Sequence, residues 1–314
     1  MTYREAHEVR TVSPTGARPL GLAAWWWIVA GLILIIGVVL RLIGTRGDLW
    51  LDEIWTLVLL EPVTSIGQII WGINHDNNHF LNSFYLYLVG ADAPIMVQRA
   101  LSVVLGSAAV AAAGAALVHR GKETALAALL LFAATYPMVH YSSEARGYAG
   151  LVLFSLLALI FLQRELDRPE RRNRHALGAA VGLGLISHLT MAATAATLAA
   201  WAVWVAWHRT GLFREAEAAT RTIFRPALIW TIVIAAGVLF GALRHGFTLG
   251  GADPFRVGQA VDGYGGFLRL LLGLPEQLPA WAGLVGAAAA VTTAAYCWRR
   301  VEDFRGSLYV CSIV

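Results

Sequence analysis

The chain has 314 residues, of which 58% are hydrophobic and 14% are charged, and its mean hydropathy is +0.62. This composition excludes an ordinary soluble globular domain and indicates a polytopic, all-α membrane protein. The net charge of +4 is no sign of a nucleic-acid partner, because in a membrane protein the distribution of charge among the loops matters more than its sum.

The first predicted element is a membrane-spanning helix. A polar N-terminal tail, residues 1–21, is followed by the uncharged run GLAAWWWIVAGLILIIGVVL at 21–40. About twenty apolar residues are what a helix needs to cross the bilayer. Because no small-residue cleavage site follows, the run predicts a retained signal anchor and not a cleaved signal peptide.

The rest of the chain, residues 22–314, is predicted to be one transmembrane domain of about eight spans. Further uncharged runs lie at 100–118, 124–143, 147–163, 176–207, 226–243 and 277–298. The run at 176–207 is too long for one span, and its polar break SHLT predicts a helical hairpin. The run at 79–90 is too short to span and predicts an interfacial or re-entrant helix. GSLYVCSIV reads as the start of a ninth span, so we expect a truncated chain.

The distribution of basic residues predicts which loops share a side of the membrane. With a cytoplasmic N-terminus, seventeen of the twenty-four Lys and Arg residues fall in cytoplasmic segments, including the cluster RELDRPERRNR at 164–174. The positive-inside rule favours this orientation in the cytoplasmic membrane. Residues 44–96 then form a long external loop, in which the apolar spacing of 63–73 predicts a helix on the membrane surface.

Two acidic segments are therefore predicted to share the outer face. LWLDEIWT at 49–56 carries Asp52 and Glu53, and the turn YSSEARGY at 141–148 carries Glu144 and Arg146. Ionisable groups beside hydrocarbon are costly unless they are paired, solvated or bound to a ligand, so they mark a candidate site. The alternative is that Glu144 and Arg146 only pair with each other at a wet helix end.

The order of these motifs resembles the GT-C glycosyltransferases, in particular the branch with the protein O-mannosyltransferases and the lipid A aminoarabinose transferases. In that family an external DE-type motif, here LWLDEIWT, follows the first span. A His-containing stretch opening a short helix, here NNHFLNSFYLYL at 77–88, and an Arg-led second span come next. A third span then ends in a motif similar to YSSEARGY. The likeness covers about residues 20–165; His79 is followed by Phe80 and Leu81 where relatives have two prolines.

The resemblance implies a GT-C-like helical bundle with interfacial helices in its first external loop. It also implies inverting transfer of a sugar from a polyprenyl-phosphate donor to a glycan, lipid or protein acceptor on the outer face. Asp52 is the expected base and Glu53 its support, because the acceptor loses a proton as the new bond forms. The expected substrate-binding residues are Asn78, His79, Arg99, Tyr141, Glu144 and Arg146.

Three alternatives stay open at this point. Arg99 opens an apolar span and could contact the donor phosphate or act as a snorkelling anchor. Asp52 and Glu144 could hold a divalent cation, Mg²⁺ or Mn²⁺, that bridges to the phosphate. A transporter, a lipid flippase or a non-catalytic subunit would also need many spans, although a transporter places its ionisable groups near the centre of the bilayer.

Overall fold

The computed structural model describes residues 20–73, 79–246, 257–271, 274–275 and 277–298, and these are helical with no strand among them. The first half of the chain contains α1 (Leu20–Gly44), α2 (Leu51–Leu60), α3 (Gln68–Trp71), α4 (Phe80–Val89), α5 (Ile95–Gln98), α6 (Ala100–Leu117), α7 (Lys122–Ala134) and α8 (Tyr136–Tyr141). The second half contains α9 (Tyr148–Asp167), α10 (Arg171–Ser187), α11 (Met191–Thr210), α12 (Phe213–His245), α13 (Val257–Leu271) and α14 (Trp281–Trp298).

Four of the described helices are long and apolar enough to cross a membrane. They comprise residues Trp25–Gly44, Ala100–Arg120, Tyr148–Asp167 and Phe213–His245. This agrees with a membrane protein, whereas the full count of eight spans stays a prediction. The other predicted runs are helical as well: α7 with α8, α10 with α11, and α14. The hairpin is interrupted between Ser187 and Met191, as the polar SHLT break predicted.

Successive long helices run in alternating directions, so the connecting loops gather at two ends of the bundle. At one end the indole of Trp26 donates to the carbonyl of Lys122 (3.2 Å), and Arg209 donates to the carbonyl of Leu166 (2.7 Å). At the other end the hydroxyl of Ser143 donates to the carbonyl of Arg41 (3.1 Å). The second end holds the loop between α1 and α6, the turn between α8 and α9, and the turn between α10 and α11. We call it the site end; which end faces outwards stays a prediction.

Small residues bring α10 and α12 together. A Cβ atom on Gly178 would lie 2.6 Å from the Cβ of Pro226, and one on Gly182 would lie 2.9 Å from the ring of Trp230. Both distances are shorter than van der Waals contact, so only glycine allows this approach.

The loop at the site end differs from the prediction in its details. The segment 63–73 forms only the four-residue α3, which packs against α12 through Ile70 and Trp71. Ile69 is fully buried instead of lying on a surface, because it packs in a core cluster with Leu60 of α2 and with Phe80 and Leu86 of α4. The run at 79–90 is the ten-residue α4. The Gly-rich segment 246–267 is helical from Val257 onwards.

A buried arginine supports the break between α7 and α8. Pro137 has no N–H, so the carbonyl of Ala133 loses its helical donor. The Arg41 guanidinium donates to that carbonyl (3.4 Å), to Phe132 O (2.9 Å) and to Gly37 O (2.9 Å). Arg41 is 1% exposed and lies inside the first span, although the sequence placed it just after that span. A cation at the carboxyl end of α7 also favours the helix dipole.

Candidate functional site

The turn between α8 and α9, residues 142–147, is bonded to four helices and forms the centre of the site end. Ser143 donates to α1, and the carbonyl of Ala145 accepts from Asn82 of α4. The N–H of Ala145 donates to Glu53 of α2 (2.5 Å), and the carbonyl of Arg146 accepts from Ser102 of α6 (3.1 Å). These contacts fix the backbone of the turn and therefore the direction of its side chains.

Glu53 and Arg99 form a buried ion pair, which we call the staple. The Arg99 Nε donates to Oε1 of Glu53 (2.9 Å) and its Nη2 donates to Oε2 (2.5 Å), so the pair is bidentate. Oε1 also accepts from the N–H of Ala145 and Oε2 from that of Trp50 (2.8 Å). The staple therefore connects α2, the 142–147 turn and the start of α6.

The staple leaves neither partner free for chemistry. The remaining Arg99 donors bond the carbonyls of Thr45 (3.0 Å), Gly47 (3.4 Å) and Asp48 (2.9 Å), so all five N–H groups are used. Arg99 is 2% exposed and Glu53 is 1% exposed. Arg99 is therefore neither a snorkelling anchor nor an available phosphate donor in this arrangement, and Glu53 does not face water. Burial raises the pKa of Glu53, but its bonds from Arg99, Ala145 and Trp50 outweigh this, and the pKa lies below its ordinary value.

Asp52, directly beside the staple, has a different environment. Its Oδ2 lies 2.8 Å from Nη1 of Arg146, and the Asp52 side chain is 56% exposed. Arg146 is 19% exposed, its Nη2 donates to the Tyr148 hydroxyl (3.3 Å), and its Nε, which is itself buried, has no hydrogen-bond partner. The two acidic segments thus meet, as the sequence predicted, and the contact combines an open carboxylate with a guanidinium that has spare bonding capacity.

Glu144 does not pair with Arg146, which excludes the simpler interpretation of the YSSEARGY turn. Its Oε1 lies 3.1 Å from Nε2 of His140, one helical turn earlier. The residue is 5% exposed, and burial raises its pKa against the opposing effects of His140 and Arg146. Glu144 therefore faces the interior of the site end, whereas Asp52 is accessible.

His79 lies at the start of α4 beside a second imidazole, that of His188 in the turn between α10 and α11. The rings of His79 and His188 are 5.5 Å apart, and both residues are buried. Nδ1 of His188 accepts from the N–H of Thr190 (3.3 Å), which leaves Nε2 as the protonated nitrogen of the neutral ring. Burial, with the nearby charge of Arg146, lowers the pKa of His188 and lowers that of His79 to about 3. Nδ1 of His79 has no hydrogen-bond partner.

Two predicted substrate-binding residues, Tyr141 and Asn78, remain to be placed. Tyr141 is part of the cluster, with its ring 4.8 Å from that of Tyr148. Asn78 lies outside the described residues. His188, His140 and Tyr148 complete the site, and of these Tyr148 stands in the YSSEARGY motif itself. No spacing pattern in the sequence connects His188 to the other two, because it follows a separate helix.

The acidic residues do not fit a metal centre. Asp52 and Glu144, the two possible cation ligands, each have another partner, because Asp52 is paired with Arg146 and Glu144 with His140. Within the described ranges, no group of three or more His, Cys, Asp or Glu residues is arranged to hold a metal ion. We therefore derive no step that passes through a metal.

Comparisons of the chain with protein-family models, with curated proteins and with solved structures found no match. The resemblance to GT-C enzymes rests on the sequence motifs alone.

Proposed function

We propose that this protein is a GT-C-like membrane glycosyltransferase. It moves a sugar from a polyprenyl-phosphate donor to an acceptor at the outer face, with inversion at the anomeric carbon. The observation that carries the proposal is the Asp52–Arg146 contact, because it joins an exposed carboxylate to a guanidinium with an unpartnered Nε at one rim of an apolar bundle.

Asp52 takes the role of general base. As the acceptor oxygen bonds to the anomeric carbon, its proton passes to the Asp52 carboxylate. The bond between the anomeric carbon and the phosphate oxygen breaks at the same time, and its electron pair leaves with the lipid phosphate. Arg146 can stabilise that leaving charge, because a guanidinium bonds phosphate in a bidentate manner. The phosphate would compete for Nη1 of Arg146 and thereby release Asp52 for its role.

Glu53 and Arg99 take the role of positioning residues. Glu53 is the next residue after Asp52, and its oxygen bonds the N–H of Ala145, the residue before Arg146. One side chain thus fixes the backbone on both sides of the reacting pair. Because the buried Glu53 carboxylate has all its hydrogen bonds made, it holds Asp52 and Arg146 close together before any substrate binds, which is a preorganised arrangement.

A transporter is less well supported. Its coupling group would be an ionisable residue inside a span, and Arg41 has that location. However, the Arg41 guanidinium donates to backbone carbonyls that the helix break leaves without partners. That role is structural.

The test is Asp52→Asn in the purified chain, with transfer measured from a panel of polyprenyl-phosphate hexoses and pentoses. Loss of a general base lowers the rate by roughly 10²- to 10⁴-fold. Asp92→Asn is the matched control, because Asp92 is an exposed acid in the same loop. Wild-type transfer in Asp52→Asn would contradict the assignment of the base.

A further inference from the structure

Aromatic rings at the site end form a continuous series, which we call the ring file. Tyr136 stacks on His140 with ring centroids 5.2 Å apart and planes 12° apart. His140 contacts Tyr141 (5.3 Å), Tyr141 contacts Tyr148 (4.8 Å), and Tyr148 stacks on His188 (4.9 Å). The file therefore passes from α8 across the 142–147 turn to the turn between α10 and α11.

The ring file runs from the exposed surface to the reacting pair. Tyr136 is 66% exposed and Tyr141 is 37% exposed, whereas His188 is 5% exposed. Arg146 lies over the Tyr148 ring, with Cζ 4.8 Å from the centroid, and it bonds Asp52 from the same position. The exposed Tyr141 is therefore connected to the open carboxylate of Asp52 through two side chains, Tyr148 and Arg146.

The rings of the file share one chemical property. Each has an apolar face and a polar atom at its edge, either a tyrosine hydroxyl or an imidazole nitrogen. The chain contains twelve phenylalanines, but none contributes to the file. Trp50, two residues before Asp52, extends the set with an indole ring that meets His140 edge-on at 5.9 Å. A pyranose has the complementary surface, with C–H groups on one face and hydroxyls around the rim.

Membrane anchoring explains only part of this arrangement. Trp and Tyr are common at the depth of lipid headgroups, where single exposed rings such as Tyr136 and Trp50 need no further reason. Anchoring does not require a stacked series that continues into the buried Tyr148–His188 pair. Two histidines at the buried end, His79 and His188, also remain uncharged, because burial lowers both pKa values. Uncharged imidazoles can hydrogen-bond the hydroxyls of a ligand, whereas the nearby guanidinium of Arg146 is assigned to the lipid phosphate by the proposed function.

We propose that the ring file is the acceptor subsite and that the acceptor is a carbohydrate, whose ring stacks on Tyr136 and Tyr141 and directs a hydroxyl to Asp52. The word acceptor rests on the proposed function, whereas carbohydrate binding can be measured without any transfer. Of the glycan, lipid and protein acceptors that the family resemblance left open, the file selects the glycan.

The experiment is saturation-transfer NMR on the full chain in lipid nanodiscs prepared without glycoside detergents. The probe is methyl β-D-glucopyranoside, whose axial H1, H3 and H5 make one face of the ring apolar, and the control ligand is sorbitol, a flexible polyol without such a face. We expect binding of the glucoside alone, with the strongest transfer to the protons of one face. Equal signals from both ligands would overturn the proposal.

Three variants test whether the glucoside binds at the ring file. Tyr141→Ala and Tyr136→Ala each lower glucoside affinity by roughly 3- to 10-fold, the contribution of one aromatic contact, whereas Tyr141→Phe keeps the stacking face, loses only the hydroxyl and lowers the affinity less. Trp27→Ala is the matched control, because that ring is 71% exposed at the opposite end of the bundle. Unchanged affinity in both alanine variants would overturn the assignment, and so would an equal loss in Trp27→Ala.

Asp52→Asn separates this proposal from the function it rests on. If Asp52→Asn binds the glucoside normally but transfers no sugar, both proposals stand. If it binds normally and still transfers sugar, the base assignment fails while the ring file remains a carbohydrate site. If transfer is lost but the glucoside binds no better than sorbitol, the ring file proposal alone fails.

Discussion

The two adjacent acids of the LWLDEIWT motif should differ sharply in what they contribute to stability. In Glu53→Gln the charge of Arg99 stays buried, at 2% exposure, without its counter-charge. The new amide nitrogen is also a donor, and it would face the N–H groups of Arg99, Ala145 or Trp50, which need an acceptor at that position. Removing one partner of a buried pair costs about 3–5 kcal/mol of unfolding free energy. Asp52→Asn instead breaks a pair that is 56% exposed on the acid side, and such pairs contribute about 0–1 kcal/mol.

The measurement is the unfolding free energy of each variant in mixed micelles, followed by tryptophan fluorescence during a denaturant titration. A double-mutant cycle adds Arg99→Met, because removing both charges is less costly than removing one. We expect Glu53→Gln with Arg99→Met to be more stable than the sum of the single changes predicts. If Glu53→Gln lies within 1 kcal/mol of Asp52→Asn, or if the cycle is additive, the staple does not hold the site together.

Three further predictions follow from the same contacts. The free energy of unfolding should fall as the pH falls from about 6.5 towards 3, because His79 takes up a proton in the unfolded chain but not in the folded chain, at up to about 1.4 kcal/mol per pH unit. In His79→Gln, denaturation measured at several pH values should show a weaker pH dependence of this free energy. Equal slopes in the two proteins would refute the prediction. Gly147→Ala should lower the melting temperature and disrupt the site, because a Cβ there overlaps the carbonyl at the end of α10. Gly31→Ala is the control, because a Cβ at that position meets open space. Equal melting temperatures of the two variants would refute the packing. In a chain without native cysteines, an impermeant thiol reagent should label Asp52→Cys but not Arg172→Cys from outside, and the reverse pattern would invert the topology.

The helices and their loops could be predicted from the sequence because they depend on local patterns. The SHLT break and the short helix after His79 each depend on neighbouring residues in the chain. The meeting of LWLDEIWT with YSSEARGY was also predictable, since an alternating chain brings every second loop to the same end. Predicting these features does not require knowing which side chains are in contact in the folded protein.

The roles of individual charged residues could not be predicted in the same way. Arg99 pairs with Glu53, a residue 46 positions earlier, and not with phosphate or lipid. Arg41 lies one residue beyond the uncharged run, yet α1 continues past it and the helix break beside Pro137 supplies its acceptors. His188 belongs to a turn with no motif of its own. In each case the partner is fixed by tertiary packing, and residue type alone is compatible with several partners.

The difference between the two ion pairs explains how one motif can be both rigid and reactive. A group that reacts must be able to leave its partner, so its pairing should cost little to break. The groups that hold it in place should be costly to break, because small displacements of reacting atoms lower rates strongly. Asp52 and Glu53 are adjacent in the chain, but α2 turns one carboxylate to solvent and the other to four N–H donors. An arriving phosphate could therefore compete for Arg146 while the staple keeps both backbones in place, which is the arrangement that the proposed sugar transfer requires.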